Sequence, residues 1–121
     1  MTRRPGLTLT SGDVINLDLG VPHGHEAGFL HPAIVVTSQR VLDAAPTTVQ
    51  VVPLTSTLRG FESEVTVPAN HGSGLQRPSA AQCQHLRSVA VGRLSAPIGR
   101  VGPVELIQVR ETIAALLDLP L

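Results

Sequence analysis

Five strand-like runs follow one another with no helix-length segment between any two of them, and a single helical pattern closes the chain. Parallel strands need a crossover of a dozen or more residues, usually a helix, so this order disfavours a doubly wound α/β sheet. It points instead to a small, curled antiparallel sheet or barrel, whose closure also protects the edge strands. The first run, Asp13 to Leu19, alternates, with Ile15, Leu17 and Leu19 on one face and Asn16 and Asp18 on the other. Pro32 opens a second, β-branched run from Ala33 to Ser38. In the third, Thr47 to Ser56, Pro53 marks a bulge or an unpaired edge position, because proline has no N–H to give a ladder. Ser63 to Val67 turns Val65 and Val67 inward and Glu64 and Thr66 outward. Ala80 to Val91 reads as one more strand, with Gln82 and Gln84 on one face and Cys83 and His85 on the other.

The connections carry their own signals. Gln39 to Pro46 reads as a turn or a short helical piece, Ala69 to Gly74 as turn chemistry, and Gly92 to Gly102 as irregular with a short strand around Ile98. Pro103 at a helix start, Glu105 in the first turn, and Leu106, Val109, Ile113, Leu116 and Leu117 at spacings of three and four predict an amphipathic helix stopped by Pro120. The expected fold class is therefore mainly β with a C-terminal α-helix. Its 121 residues form one domain, with residues 1–11 as a flexible tail.

Composition excludes several functions. Nine basic and nine acidic residues cancel, which argues against coating nucleic acid by bulk charge. All nine bases are arginine, the planar fork suited to phosphate, so a local basic groove stays open. Phe29 and Phe61 are the only aromatic residues, too few for the stacking platform of most single-strand RNA modules. Cys83 is the one cysteine, so neither an intrachain disulfide nor a cysteine zinc cage can form within the chain. No apolar run is long enough for a signal peptide or a membrane span, and a cytoplasmic protein is expected.

The segment HGHEAGFLHP, residues 23 to 32, concentrates His23, His25, Glu26 and His31 in a glycine-rich loop between the first two strands. His23 and His25 would point the same way in an extended stretch, and with Glu26, His31 and His85 they would offer metal ligands. That spacing is not one of the strong zinc patterns, and a glycine-rich loop orders ligands poorly; no metal or cofactor is expected.

Taken in order, Gly12-Asp13-Val14, Gly24-His25-Glu26, Pro32-Ala33-Ile34-Val35-Val36-Thr37-Ser38, Val52-Pro53-Leu54-Thr55-Ser56, Cys83-Gln84-His85-Leu86-Arg87 and Arg93-Leu94 resemble the MazF/PemK/Kid family of toxins from toxin–antitoxin pairs. The match runs from Gly12 to Leu119. It implies an SH3-like curled β-barrel of CcdB/MazF type, a homodimer framing an RNA groove, and a MazE-like antitoxin whose tail fills that groove. It also implies sequence-selective, metal-independent cleavage of single-stranded RNA, in which the substrate's own 2′-OH attacks the adjacent phosphate. The protein must then supply a base, an acid and stabilisation of the phosphorane charge.

Carried over residue by residue, the resemblance assigns catalysis to His25, Glu26, His31 and Thr55, and RNA binding to Arg59, Phe61, Arg77, Gln82, Gln84 and Arg87. Four positions depart from the family pattern. His31 stands where an arginine is usual, Gln82 and Gln84 where Kid-like members carry arginine and aspartate, and Ala90 where an aspartate is common. An imidazole titrates near neutrality and can both take and give a proton, but holds charge less reliably than arginine. The chain therefore either moved its proton chemistry onto imidazoles or lost part of it. In the second case it would be a binding protein on the same fold, bound to an antitoxin or, like CcdB, to gyrase.

Several of these residues also have simpler readings. Thr55 can cap the turn after its strand, Arg87 can hold a strand neighbour, and Cys83 can be a small buried apolar side chain.

Overall fold

The computed structural model describes residues 8–18 and 30–120. Within them lie β1 (Asp13–Asp18), β2 (Leu30–Val35), α1 (Gln39–Asp43), β3 (Thr48–Thr55), β4 (Glu64–Val67), β5 (Ser79–Gln82), β6 (Arg87–Ala90), β7 (Gly99–Arg100) and α2 (Pro103–Leu116). The strands form an antiparallel sheet in the order β4-β5-β3-β2-β1-β7, with β6 also paired to β3. This is the curled antiparallel sheet with a terminal helix that the order of elements predicts.

The sheet buries both of its faces. On one, Val14, Ile34, Val52, Leu54, Val65 and Val67 pack with Val109 of α2, joined by the half-buried Leu106 and Ile113. On the other, Ile15, Leu17, Ala33, Val35, Val49 and Val51 pack with Leu42 of α1 and with Leu9. Fully burying a Val or Leu contributes roughly 1.5–3 kcal/mol, so α2 is held mainly by Val109 and its neighbours at helical spacing.

Three expectations change. Residues 8–11 are not a loose tail: Leu9 is buried, and Ser11 Oγ donates to Thr37 O at 2.7 Å. Leu116 and Leu117 do not face the core but stand exposed, because α2 ends at Leu116 and the left-handed Asp118 (φ 57) turns the chain before Pro120 is reached. The run from Ala80 to Val91 is not one strand: a 3-10 turn at Cys83–His85 divides β5 from β6.

That break has a cause in the sequence. Gln50 O accepts from Val36 N on the β2 side at 3.0 Å, so alternation aims Val49, Val51, Pro53 and Thr55 at the opposite neighbour. Thr48 to Val51 pair there with β6, and Leu54 and Thr55 with β5. Between the two ladders lies Pro53, which has no N–H to offer. The ladder with β3 is interrupted at this point, and residues 82–86 fill a stretch where only two residues of β3 stand opposite. Pro53 is thus unpaired toward that side, yet in register with Ala33 on the other, in the interior of the sheet rather than at an edge.

Candidate functional site

Strand register gathers a polar face at one end of the sheet. Cross-strand partners point to the same side, as do residues two apart along a strand. Ala33 pairs with Pro53, Thr55 with Ala80, and Gln82 with Glu64, while His31 lies two residues before Ala33 and pairs with Leu17. His31, Thr55, Gln82 and Glu64 therefore share one face, and Arg87, opposite Val51, lies on it as well. At this end Asp18 pairs with Leu30. His25 and Glu26, together with His23, lie outside the described residues.

At the centre of the face is a residue that the sequence pattern turns outward. Glu64 alternates against Val65 and Val67, yet its side chain is only 2% exposed. Three side chains converge on its Oε2: Arg59 Nη2 at 2.7 Å, Gln84 Nε2 at 2.7 Å and Gln82 Nε2 at 3.3 Å. Its Oε1 is buried and has no hydrogen-bond partner among the described residues. Burial by itself raises the carboxyl pKa. The hydrogen bonds from Gln84, Arg59 and Gln82, with the positive charge of Arg59, outweigh it and hold Glu64 below the ordinary glutamate value, ionised at neutral pH.

Arg59 comes from the β3–β4 connection and is 40% exposed. Its guanidinium carbon sits 4.5 Å from the centroid of the Phe61 ring, a cation–π contact, and Phe61 itself is half exposed. Phe61 also borders a groove of about 550 Å³ against α2, lined by Thr112, Ala115 and Leu116. Of the guanidinium's five donors, the described bond to Glu64 engages one, at Nη2.

The other assigned residues fall into place around this cluster. Thr55 is half-buried and its Oγ1 accepts from Thr57 N at 3.1 Å, so it does cap the turn after β3 while facing the site. Gln84 reaches Glu64 from the 3-10 turn, not by alternation along a strand. Arg77 is exposed in the segment before β5, at the opposite end of that strand from Gln82. Ala90 pairs with Thr48, at the end of β3 remote from Thr55. Cys83, directly behind the site, is a buried apolar side chain; burial, with the Glu64 charge added, pushes its thiol up to about 11. Among the described residues no three His, Cys, Asp or Glu side chains are grouped to hold a metal, and His85 is exposed.

A curled antiparallel sheet with a terminal helix packed across it is the fold shared with solved MazF toxins. The structure matches the Mycobacterium tuberculosis toxin MazF-mt6 with a TM-score of 0.73 at 27% identity, covering 90% of this chain and 99% of that one. It matches a MazE–MazF complex structure from Deinococcus radiodurans with a TM-score of 0.75 at 26% identity, covering 93% of this chain and 98% of that one. Over residues 10–117 the sequence matches the PemK-like, MazF-like toxins of type II toxin–antitoxin systems, and the chain belongs to that family. It is 36% identical over 113 residues to the endoribonuclease MazF9 of Mycobacterium tuberculosis, spanning 89% of this chain and 95% of that protein.

Glu64 is the residue of this face that sequence reading left out. It pairs with Gln82 of β5 and meets Gln84 from the 3-10 turn, a pairing that appears only in the fold.

Proposed function

We propose that this toxin acts as a sequence-selective endoribonuclease on single-stranded RNA, by metal-independent attack of the substrate's own 2′-OH on the adjacent phosphate. The observation that carries this reading is the shared face: the register aligns His31, Thr55, Gln82 and Glu64, and Glu64 draws in Arg59. In the reaction a base removes the 2′-OH proton as the 2′-oxygen bonds to phosphorus. The P–O5′ bond breaks and an acid returns a proton to O5′, leaving a 2′,3′-cyclic phosphate and a 5′-OH.

Imidazole is the side chain best suited to both transfers near neutral pH. His25 and His31 take these roles, with Glu26 supporting the loop histidine. Thr55 donates to the phosphate, Arg59 and Arg87 stabilise the phosphorane charge, and Phe61, Arg77, Gln82 and Gln84 line the path of the strand. The partners are cytoplasmic single-stranded RNA, a second copy of the chain and a MazE-like antitoxin. The exposed Val104, Ile107 and Leu116 of α2 offer apolar surface to the protein partners, and no helix among the described residues is long and apolar enough to cross a membrane.

The test is incubation of the purified chain with long single-stranded RNA in EDTA, with the product ends mapped. Cyclic-phosphate and 5′-OH ends at a limited set of sequences are expected. Cutting only when divalent metal is added, or no cutting, overturns the proposal; the second result would leave a binding protein on this fold.

A further inference from the structure

We propose that Glu64 is a positioning residue whose buried carboxylate fixes the Arg59 guanidinium against Phe61, so that the arginine's outward donors form a preset clamp for RNA phosphate. This rests on the RNA-cleaving function proposed above and assigns the mechanism by which one of its cations is held.

The geometry is asymmetric in a way that structure alone does not require. A buried carboxylate normally spreads its bonds over both oxygens, since a buried oxygen without a partner is costly. Among the described residues Oε2 takes three donors while Oε1 has none. Every one of those donors is a side chain, and none is a backbone N–H. What the cluster fixes is the direction of one exposed cation. Arginine loses much rotamer freedom on binding phosphate; an arginine already held at 2.7 Å by a carboxylate and stacked at 4.5 Å on a ring has lost it beforehand. The two glutamines complete the restraint from β5 and the 3-10 turn, keeping the carboxylate from swinging toward the groove.

Simple charge and positioning make opposite predictions. A carboxylate beside an RNA groove repels phosphate, so on charge alone Glu64→Gln should bind RNA more tightly. Positioning requires the reverse. Binding is measured with a fully 2′-O-methylated oligonucleotide spanning a cleavage site mapped on long RNA; it cannot be cut because it lacks the attacking hydroxyl. Arg59→Ala and Glu64→Gln are each expected to weaken binding about tenfold, the scale of one charge-assisted hydrogen bond. Each should also flatten the salt dependence by about 0.7 in log–log slope, one phosphate contact. The double variant should match Arg59→Ala alone.

Glu64→Asp keeps the charge and withdraws the carboxylate by one methylene, so a comparable loss there isolates geometry and stands in if Glu64→Gln fails to fold. Tighter or unchanged binding by the folded Glu64 variants, or losses that multiply in the double variant, overturns the inference. If the wild type itself neither cuts nor binds, it is the RNA-cleaving function that falls, a result distinct from a wild type that cuts while its Glu64 variants do so equally well.

Discussion

Asp13 and Glu64 are both buried carboxylates met by an exposed arginine, and they are built differently. Asp13 divides its bonds: Oδ2 accepts from Thr10 N at 2.7 Å and Oδ1 from Arg100 Nε at 3.1 Å, across the register that pairs Asp13 with Arg100. One of its partners is backbone, and the other sits on the strand beside it. Glu64 places three side chains on a single oxygen and, among the described residues, leaves the other bare. A carboxylate that holds backbone and uses both oxygens suits a structural task. One that holds only side chains, at a cost in unsatisfied polarity, suits the proposed task of posing Arg59.

The sharpest way to break this contrast is Asp13→Ala. It leaves Thr10 N–H without its acceptor and is expected to cost roughly 2–3 kcal/mol of stability, read from urea unfolding, with RNA cleavage per folded molecule unchanged. Glu64→Ala should invert the pattern, lowering kcat/KM on RNA about tenfold or more, equivalent to at least about 1.4 kcal/mol, with a smaller loss of stability. If Asp13→Ala cripples cleavage by folded protein, or Glu64→Ala affects stability alone, the division into structural and functional pairs fails.

Acid provides a gentler probe. Because the native pKa of Glu64 is depressed, its ionisation stabilises the fold above the ordinary glutamate value of about 4.3. That contribution is lost as pH falls from there through the lower native value. Wild type and Glu64→Gln should therefore draw together in urea midpoint as the pH falls below about 4.3; a gap that widens on acidification would contradict the assignment. Arg100→Ala should cost less than about 1 kcal/mol, since an arginine this exposed is screened by solvent. The smallest effect is expected at Cys83. Burial is the main cause of its raised pKa, so iodoacetamide at about pH 8 should leave the native thiol unlabelled in wild type and in Glu64→Gln alike. Rapid labelling in the variant would mean that the cluster seals the core as well as posing Arg59.

Much of this architecture is legible in residue pattern because the relevant forces are local. Val65 and Val67 alternate and are buried, Leu106 and Val109 recur at helical spacing and dock, and Pro53 announces a break in a ladder. Leu116 and Leu117 follow the same helical spacing and yet stand in solvent, because the spacing continues past the point where the sheet offers anything to pack against. The run from Ala80 to Val91 likewise reads as one strand, since nothing within it reveals that it lies opposite Pro53.

By itself the sequence determined the succession of strand-like runs along the chain, the terminal helix and the residue types capable of phosphate chemistry, through period-two and helical patterning and through family resemblance. The tertiary structure decided where the charges meet. Glu64 alternates with two inward valines, and pattern alone sends it to water; only the pairing of β4 with β5 and the arrival of Arg59 from a connecting loop bury its carboxylate. Burial of a charge depends on partners that are distant in sequence, and a linear pattern carries no record of them.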